Sequence, residues 1–276
     1  MNAAGTARTV FINGISFWAP QLPGWDVAAA VLRGSAQVPT VAQKRPSPEL
    51  LPPAERRRAP DTVAVAAEVA MRACTAAAVD PAGLASVFSS VHGDLAITDY
   101  MCETLARTPL LVSPTRFHNS VHNAAAGYWC IATGCHAPYI TVSAFGHSFA
   151  MGLLEAFAQI ASDGVPVLYV AYDIEACGPL AAMAPSRGLL GAGLVLAPER
   201  SARTVARLTW SVRPGDGSAA ARPRAARPGF PDDNAMSHCL PLFETLAGGG
   251  GPVTFTLGPR LLLELAVQTA QTQVRP

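Results

Sequence analysis

Residues 117–156 read FHNSVHNAAAGYWCIATGCHAPYITVSAFGHSFAMGLLEA and carry the clearest fold signals of the chain. Residues 139–144 combine β-branched and aromatic side chains, which predicts a strand. Residues 147–162 are small or apolar on nearly every side, which predicts a buried helix. A strand that turns directly into a helix is a position where α/β enzymes often carry a nucleophile.

Outward from this stretch, strands alternate with helices over the first 200 residues. The predicted strands are residues 9–15, 85–91, 139–144, 166–172 and 189–196. This order predicts an α/β fold with a five-stranded, mostly parallel sheet flanked by helices. After residue 200 the pattern weakens to a strand, an Ala/Arg/Pro linker at 216–230, a short helix and two apolar runs. We therefore divide the chain into residues 1–200 and an abridged C-terminal part, residues 201–276, that packs on the same unit.

Composition narrows the classes of function. Of the 276 residues, 50% are hydrophobic and 14% charged, with a net charge of +1. The apolar content is ample for a core and excludes disorder. The near-zero charge gives no drive toward nucleic acid or anionic membranes, and no apolar run is long enough to span a bilayer. Charges this sparse indicate that another protein chain covers part of the surface.

The cysteines and histidines predict neither a metal nor a cofactor. Six cysteines occur without a C-x-x-C pair, and with no signal peptide evident we expect free thiols and a cytoplasmic protein. His118 and His122 are four residues apart, so one helical face could present both to a metal. However, Asn119 stands where H-E-x-x-H metalloproteases have glutamate, and no third ligand is evident.

One alternative interpretation of the central stretch is a serine hydrolase or acyltransferase. Residues 146–150, GHSFA, nearly match G-x-S-x-G and would make Ser148 the nucleophile. A carboxylate, Asp163 or Asp173, and then His238 follow in the order that α/β-hydrolases use. Against this interpretation, alanine replaces the closing glycine, and no His-Gly-Gly oxyanion motif lies upstream.

A second interpretation accounts for more of the stretch, because it resembles the β-ketoacyl synthases of the thiolase fold. These enzymes carry an Asn…Ala-Gly-His segment, a Gly…Gly-Pro turn and a strand ending in Thr-Ala-Cys-Ser/Thr-Ser before a buried helix. This chain has Asn123, Ala-Gly-Tyr at 126–128, Gly134 and Ala-Pro at 137–138, and Ser148 matches the last serine of the motif. The resemblance covers residues 8–200 and implies a thiolase-like fold whose second half is truncated.

The departures from this family bear on function. The gap-free match places the nucleophilic cysteine at Gly146, between Phe145 and His147, and glycine cannot form an acyl-enzyme. The family also uses two histidines from its second half, whereas His238 is the sole histidine after residue 200. The resemblance therefore implies a subunit that is not an enzyme by itself.

A ketosynthase-like chain without catalytic groups resembles a chain length factor, and its short second half resembles the factors of aryl polyene clusters. Such a factor pairs with a catalytic ketosynthase through the third strands and shapes the tunnel for an acyl chain carried by acyl carrier protein. The resemblance assigns the interface or tunnel wall to residues near that strand: Phe117, His118, His122, Asn123, Tyr128, Trp129 and Tyr139. A third alternative is a scaffold subunit with no influence on product length.

Overall fold

The computed structural model describes residues 8–215 and 227–270, so most of the predicted linker lies outside the described residues. The strands within these ranges are β1 (Arg8–Trp18), β2 (Ala85–Ser89), β3 (Tyr139–Val142), β4 (Val167–Asp173), β5 (Leu190–Ala197), β6 (Ala206–Pro214), β7 (Gly250–Gly258) and β8 (Leu261–Thr269). The α-helices are α1 (Trp25–Leu32), α2 (Pro53–Arg58), α3 (Asp61–Ala77), α4 (Leu95–Arg107), α5 (Pro114–Asn119), α6 (Ala124–Thr133), α7 (Ser148–Asp163) and α8 (Leu240–Ala247).

All strands pair into one sheet, in the order β3-β2-β4-β5-β1-β6-β8-β7. β2 pairs in parallel with β3 and β4, whereas β5 is antiparallel to both β4 and β1. β1, β2, β3 and β4 therefore run in one direction and β5 runs against them. The five predicted strands are present with ends displaced by a few residues.

The prediction of a five-stranded, mostly parallel sheet is wrong, because the sheet of the described residues has eight strands and five of its seven neighbouring pairs are antiparallel. β6 pairs antiparallel with the outer side of β1, and β8 and β7 continue the sheet as a hairpin. The physical reason is that β1 has a second edge, which stays unpaired unless later strands cover it. The strands after residue 200 thus extend the sheet of the first part.

Helices cover both faces of the sheet. On one face, the Ala/Val-rich α3 packs against β1, β4 and β5, and on the other α7 packs against β2 and β4. α7 can approach closely because Gly152 has no side chain. A Cβ atom there would lie 2.8 Å from the Tyr169 ring and 2.9 Å from Ser89 Cβ. Within the described ranges, no helix is both long and apolar enough to cross a membrane.

The two edges of the sheet differ. β7 carries Pro252, and the adjacent Gly250 and Gly251 have positive φ angles of 111° and 138°. Proline and irregular backbone are devices that protect an edge strand from pairing. β3 has neither, and its first two residues, Tyr139 and Ile140, are each about 40% exposed. β3 is therefore the edge that is open to another strand.

Candidate functional site at β3 and the elbow before α7

The chain passes from β3 into α7 through residues 143–147, which we call the elbow. Phe145 adopts a left-handed backbone conformation with φ of 49°, and its side chain is 74% exposed. This conformation costs a non-glycine residue about 1 kcal/mol. Ala78, the other such residue in the described ranges, forms an ordinary helix C-cap at the end of α3. Among the described non-glycine residues, Phe145 is therefore the one that has a positive φ angle outside a helix cap.

Ser148 braces the elbow. Its buried Oγ accepts a hydrogen bond from Ala144 N at 2.9 Å and donates one to Phe145 O at 2.7 Å. Ser89 Oγ donates to Ser148 O at 2.7 Å, and Tyr169 Oη donates to Phe149 O at 2.6 Å. The start of α7 is thus fastened to β2 and β4, and Ser148 has the contacts of a structural residue.

The three groups of the predicted hydrolase triad are not brought together. Asp163 lies at the C-terminal end of α7, the opposite end from Ser148. Asp173 is fully buried and accepts hydrogen bonds from Ser90 Oγ at 2.7 Å and Val91 N at 3.0 Å. His238 faces Gly146 instead. The arrangement does not favour nucleophilic catalysis by Ser148.

Gly146, in the elbow, lies close to His238, which precedes α8. A Cβ atom on Gly146 would lie 3.5 Å from His238 Nε2, which is an ordinary van der Waals distance. Partial burial and the neighbouring His147 lower the pKa of His238, which favours a neutral imidazole. His147 Nδ1 lies 3.0 Å from Thr256 O on β7. The imidazole of His238 thus faces a position that has no side chain and no nucleophile.

The main-chain groups of β3 alternate between its neighbour and the open edge. Ser86 N donates to Pro138 O and Ser90 N donates to Val142 O, so the even-numbered residues of β3 face β2. Because peptide groups alternate in direction along a strand, those of Tyr139 and Thr141 point away from the sheet. These two residues offer hydrogen-bond donors and acceptors to an incoming strand.

The polar candidates beside β3 hold local structure. Asn123 Nδ2 donates to Tyr139 Oη at 3.1 Å, and His122 Nε2 lies 2.9 Å from Ser90 O. His118 belongs to α5, which ends at Asn119, whereas His122 lies in the turn before α6. The two histidines therefore do not share a helical face. No cluster of three or more metal-ligating side chains occurs among the residues that the structure describes.

A cavity of about 300 Å³ opens between α2, α5 and α6, close to several predicted residues. His118 and Tyr128 form its aromatic wall, with their rings in an edge-to-face arrangement at 5.9 Å. The remaining lining residues are Ala54, Glu55, Arg58, Thr115 and Ile131. The neighbouring Phe117 is 61% exposed. The cavity therefore offers an aromatic and apolar surface with charged groups at its rim.

Comparison with known proteins assigns the chain to a family. The family model of the β-ketoacyl synthase N-terminal domain matches residues 32–233, well over half of the 276 residues. The chain belongs to the β-ketoacyl synthase family. Among curated proteins, none matches it.

Solved structures of ketosynthase assemblies share the ketosynthase fold of this chain. A chain in the complex of the ketosynthase ApeO with its chain length factor ApeC from Xenorhabdus doucetiae is 21% identical, with a TM-score of 0.68 over 94% of this chain and 99% of that one. The ishigamide ketosynthase/chain length factor gives 17% identity, a TM-score of 0.69, and coverage of 95% and 99%. A chain in the AntDE:AntF complex of a type II polyketide synthase acyl carrier protein with its ketosynthase is 12% identical. Its TM-score is 0.73, over 96% of this chain and 100% of that one. These likenesses confirm the predicted thiolase-like α/β fold.

Two features of this ketosynthase-family site differ from the sequence-based prediction. Trp129 is predicted at the interface or tunnel, but it is 0% exposed and packs in the core beneath α3, because it lies on the inner face of α6. Conversely, Leu110, Leu111 and Ile131 are absent from that prediction, yet they are 98%, 70% and 77% exposed. The signal that could have found the leucines is their adjacency after a proline, with no helical period to bury them.

Proposed function

We propose that this chain is a non-catalytic ketosynthase-like subunit, a chain length factor. It pairs with an active β-ketoacyl synthase and shapes the acyl tunnel during polyketide, polyene or fatty-acid-type elongation on acyl carrier protein. One observation carries the proposal. The chain has the ketosynthase fold, but its elbow contains no thiol, because none of the six cysteines lies within residues 143–148. Without a nucleophile, the acyl chain cannot be transferred to this subunit.

The open edge of β3 supports the pairing. Tyr139 and Thr141 direct unpaired main-chain groups outward, and such an edge invites another strand. Exposed apolar side chains also occur between β2 and β3 in the chain, on β3 itself and in the elbow: Leu105, Leu110, Leu111, Phe117, Val121, Ile131, Ile140 and Phe145. Exposed apolar side chains that lie together on a surface are typical of a stable protein interface. The similar structures from Xenorhabdus doucetiae and of the ishigamide system are themselves ketosynthase/chain length factor assemblies.

The wall of the tunnel is proposed from the cavity between α2, α5 and α6. Phe117, His118 and Tyr128 are large side chains in or beside it, and they lie on the two helices that precede β3. Bulky groups at this position would stop the growing chain by steric contact. Replacing Phe117 or Tyr128 with alanine in the assembled pair is expected to lengthen the product, as measured by mass spectrometry. Unchanged product length in both variants would favour the scaffold alternative.

Strand pairing can be tested by blocking the outward side of β3. Thr141→Pro removes an N–H that points away from β2, so it leaves the bonds to β2 intact while preventing a partner strand from pairing. We expect a stable 1:1 complex for the wild type on co-expression with the ketosynthase encoded nearest to its gene, and loss of that complex for Thr141→Pro.

Thr141→Val is the matched control, because it changes the side chain and keeps the N–H, and it is expected to bind like the wild type. Intact protein mass spectrometry after incubation with acylated carrier protein tests catalytic silence. We expect no covalent adduct on this chain. A loaded acyl group, or equal binding by Thr141→Pro, would contradict the proposal.

A further inference from the structure

We propose that Phe145 is an aromatic anchor by which this subunit docks into an apolar pocket of its ketosynthase partner. The inference rests on the proposed function, because it names a contact with the partner that the proposed function requires.

The conformation of Phe145 does not bury its side chain in the isolated subunit. The ring is 74% exposed, so it contributes little to the core, and its backbone is held at a φ of 49°. Residues in sparsely populated backbone regions persist where the surrounding structure holds them, and they cluster at functional sites. A strained residue that also exposes a phenyl ring therefore indicates a surface that another molecule covers.

The elbow presents this ring on a rigid base. Ser148 Oγ bonds to the main chain on both sides of the ring, at Ala144 N and Phe145 O. His147 N donates to Ala144 O at 2.9 Å, and the His147 ring contacts Thr256 on β7. A preorganised aromatic side chain loses little conformational entropy on binding, which is the property of an interface hot spot.

The position of the ring points to a protein partner that pairs with β3. Phe145 follows the last residue of β3, Val142, by three positions, and β3 is the open edge. Thr141 directs its main-chain groups outward just before the elbow, and Ile140 is 40% exposed on the same strand. A strand that pairs along β3 brings its neighbouring side chains to the elbow. The partner surface there should be an apolar pocket that accepts one phenyl ring.

Two variants separate the contribution of the ring from the strain of the backbone. Phe145→Ala removes the ring and keeps a non-glycine residue at positive φ, whereas Phe145→Gly removes the ring and relieves the strain. We expect both to weaken binding to the ketosynthase by at least about thirtyfold, as measured by isothermal titration calorimetry. The isolated Phe145→Gly subunit should melt at a higher temperature than the wild type, which shows that lost affinity is not lost folding.

Val165→Ala is the matched control. Val165 is 44% exposed and precedes β4, which runs in the same direction as β3, so it lies at the opposite end of the sheet from the elbow. Its loss is expected to leave binding unchanged. Ser148→Ala, which removes the brace, should weaken binding less than Phe145→Ala does.

The outcomes distinguish this inference from the proposed function. Wild-type affinity in both Phe145 variants would overturn the anchor while leaving the pairing through β3 intact. Loss of self-association alone would assign the ring to a second copy of this chain, and altered product length at unchanged affinity would assign it to the acyl chain; either result overturns the inference. If the wild type fails to bind the ketosynthase, the proposed function fails and the anchor with it.

Discussion

At the scale of single residues, Gly146 occupies the position at which the gap-free match to the ketosynthases predicts the nucleophilic cysteine. The backbone there has an ordinary φ, and the position of a Cβ atom is free apart from His238 Nε2 at 3.5 Å. The elbow therefore has room for a side chain and keeps an imidazole beside it. Gly146 lacks a thiol, so the site can be tested by introducing a cysteine at this position.

The variant Gly146→Cys is expected to fold and to carry an activated thiol. The N-terminus of α7 favours a thiolate, and the neutral imidazole of His238 can donate a hydrogen bond to it, so the pKa of the introduced thiol should fall below the usual 8.5 or so. Alkylation by iodoacetamide at pH 7, followed by peptide mass spectrometry, should modify this thiol several-fold faster than the exposed Cys102. The double variant Gly146→Cys/His238→Ala is the control, and equal rates in the two proteins would contradict the role assigned to His238.

Asp173 is expected to make stability depend on pH. Burial raises its pKa from the ordinary 3.8 to about 7, although Ser90 and Val91 donate hydrogen bonds to its carboxylate. Between these two values the native state holds a proton that the unfolded chain has lost, so stability falls as pH rises. The free energy of unfolding of the wild type, relative to Asp173→Asn, should fall by up to about 1.4 kcal/mol per pH unit from about pH 4 to about pH 7.

This difference is best measured by urea denaturation at several pH values. Comparison with the variant removes the opposite slope of His92 and His238, whose pKa values are lowered and whose effect is common to both proteins. A difference that is flat or that rises with pH would contradict the assignment.

At the scale of elements, the packing of α7 against the sheet determines the position of the elbow. Ser89 and Tyr169 donate hydrogen bonds to the first two carbonyl groups of the helix, and Gly152 allows the close approach that these bonds need. The helix, β2 and β4 therefore form one unit. The conformation of the elbow depends on this packing as well as on Ser148.

Gly152→Ala is expected to destabilise this unit. Its Cβ atom would lie 2.8 Å from the Tyr169 ring, and the resulting displacement should cost about 1–3 kcal/mol of unfolding free energy, measured from the denaturant midpoint. Gly127→Ala on α6 is the control, since a Cβ atom there meets nothing within 4 Å. An alanine inside an unobstructed helix should stabilise by about 0.5–1 kcal/mol. Equal effects of the two substitutions would show that close packing at Gly152 is not required.

At the scale of the whole molecule, we expect the exposed apolar side chains to limit solubility. Leu110 and Leu111 are 98% and 70% exposed, and the chain carries only 14% charged residues. In the absence of a partner such a surface favours association between copies. The subunit is expected to stay free of self-association only when a partner covers these side chains.

We expect the isolated wild type to self-associate and the double variant Leu110→Gln/Leu111→Gln to do so less, as measured by light scattering. The melting temperature should stay the same, because side chains this exposed do not contribute to the core. Unchanged association in the variant would show that other surfaces are responsible.

Some features of this protein can be predicted from short stretches of its amino-acid sequence. Periodicity and residue type predict the first five strands and helix α7, because these signals lie within short windows of the chain. The absence of a cysteine at the elbow is likewise a property of the sequence. The prediction that β3 pairs with another subunit comes from resemblance to the ketosynthases and not from its four residues.

The tertiary structure decides the features that depend on distant contacts. Whether a strand lies at the edge of a sheet depends on which other strands pair, and only the assembled order leaves β3 open while β6, β7 and β8 extend the far side. The approach of His238 to Gly146 and the burial of Trp129 arise in the same way, from elements far apart in the chain. The strained, outward conformation of Phe145 is also a tertiary result, since packing of α7 on the sheet holds a backbone geometry that the local sequence does not favour.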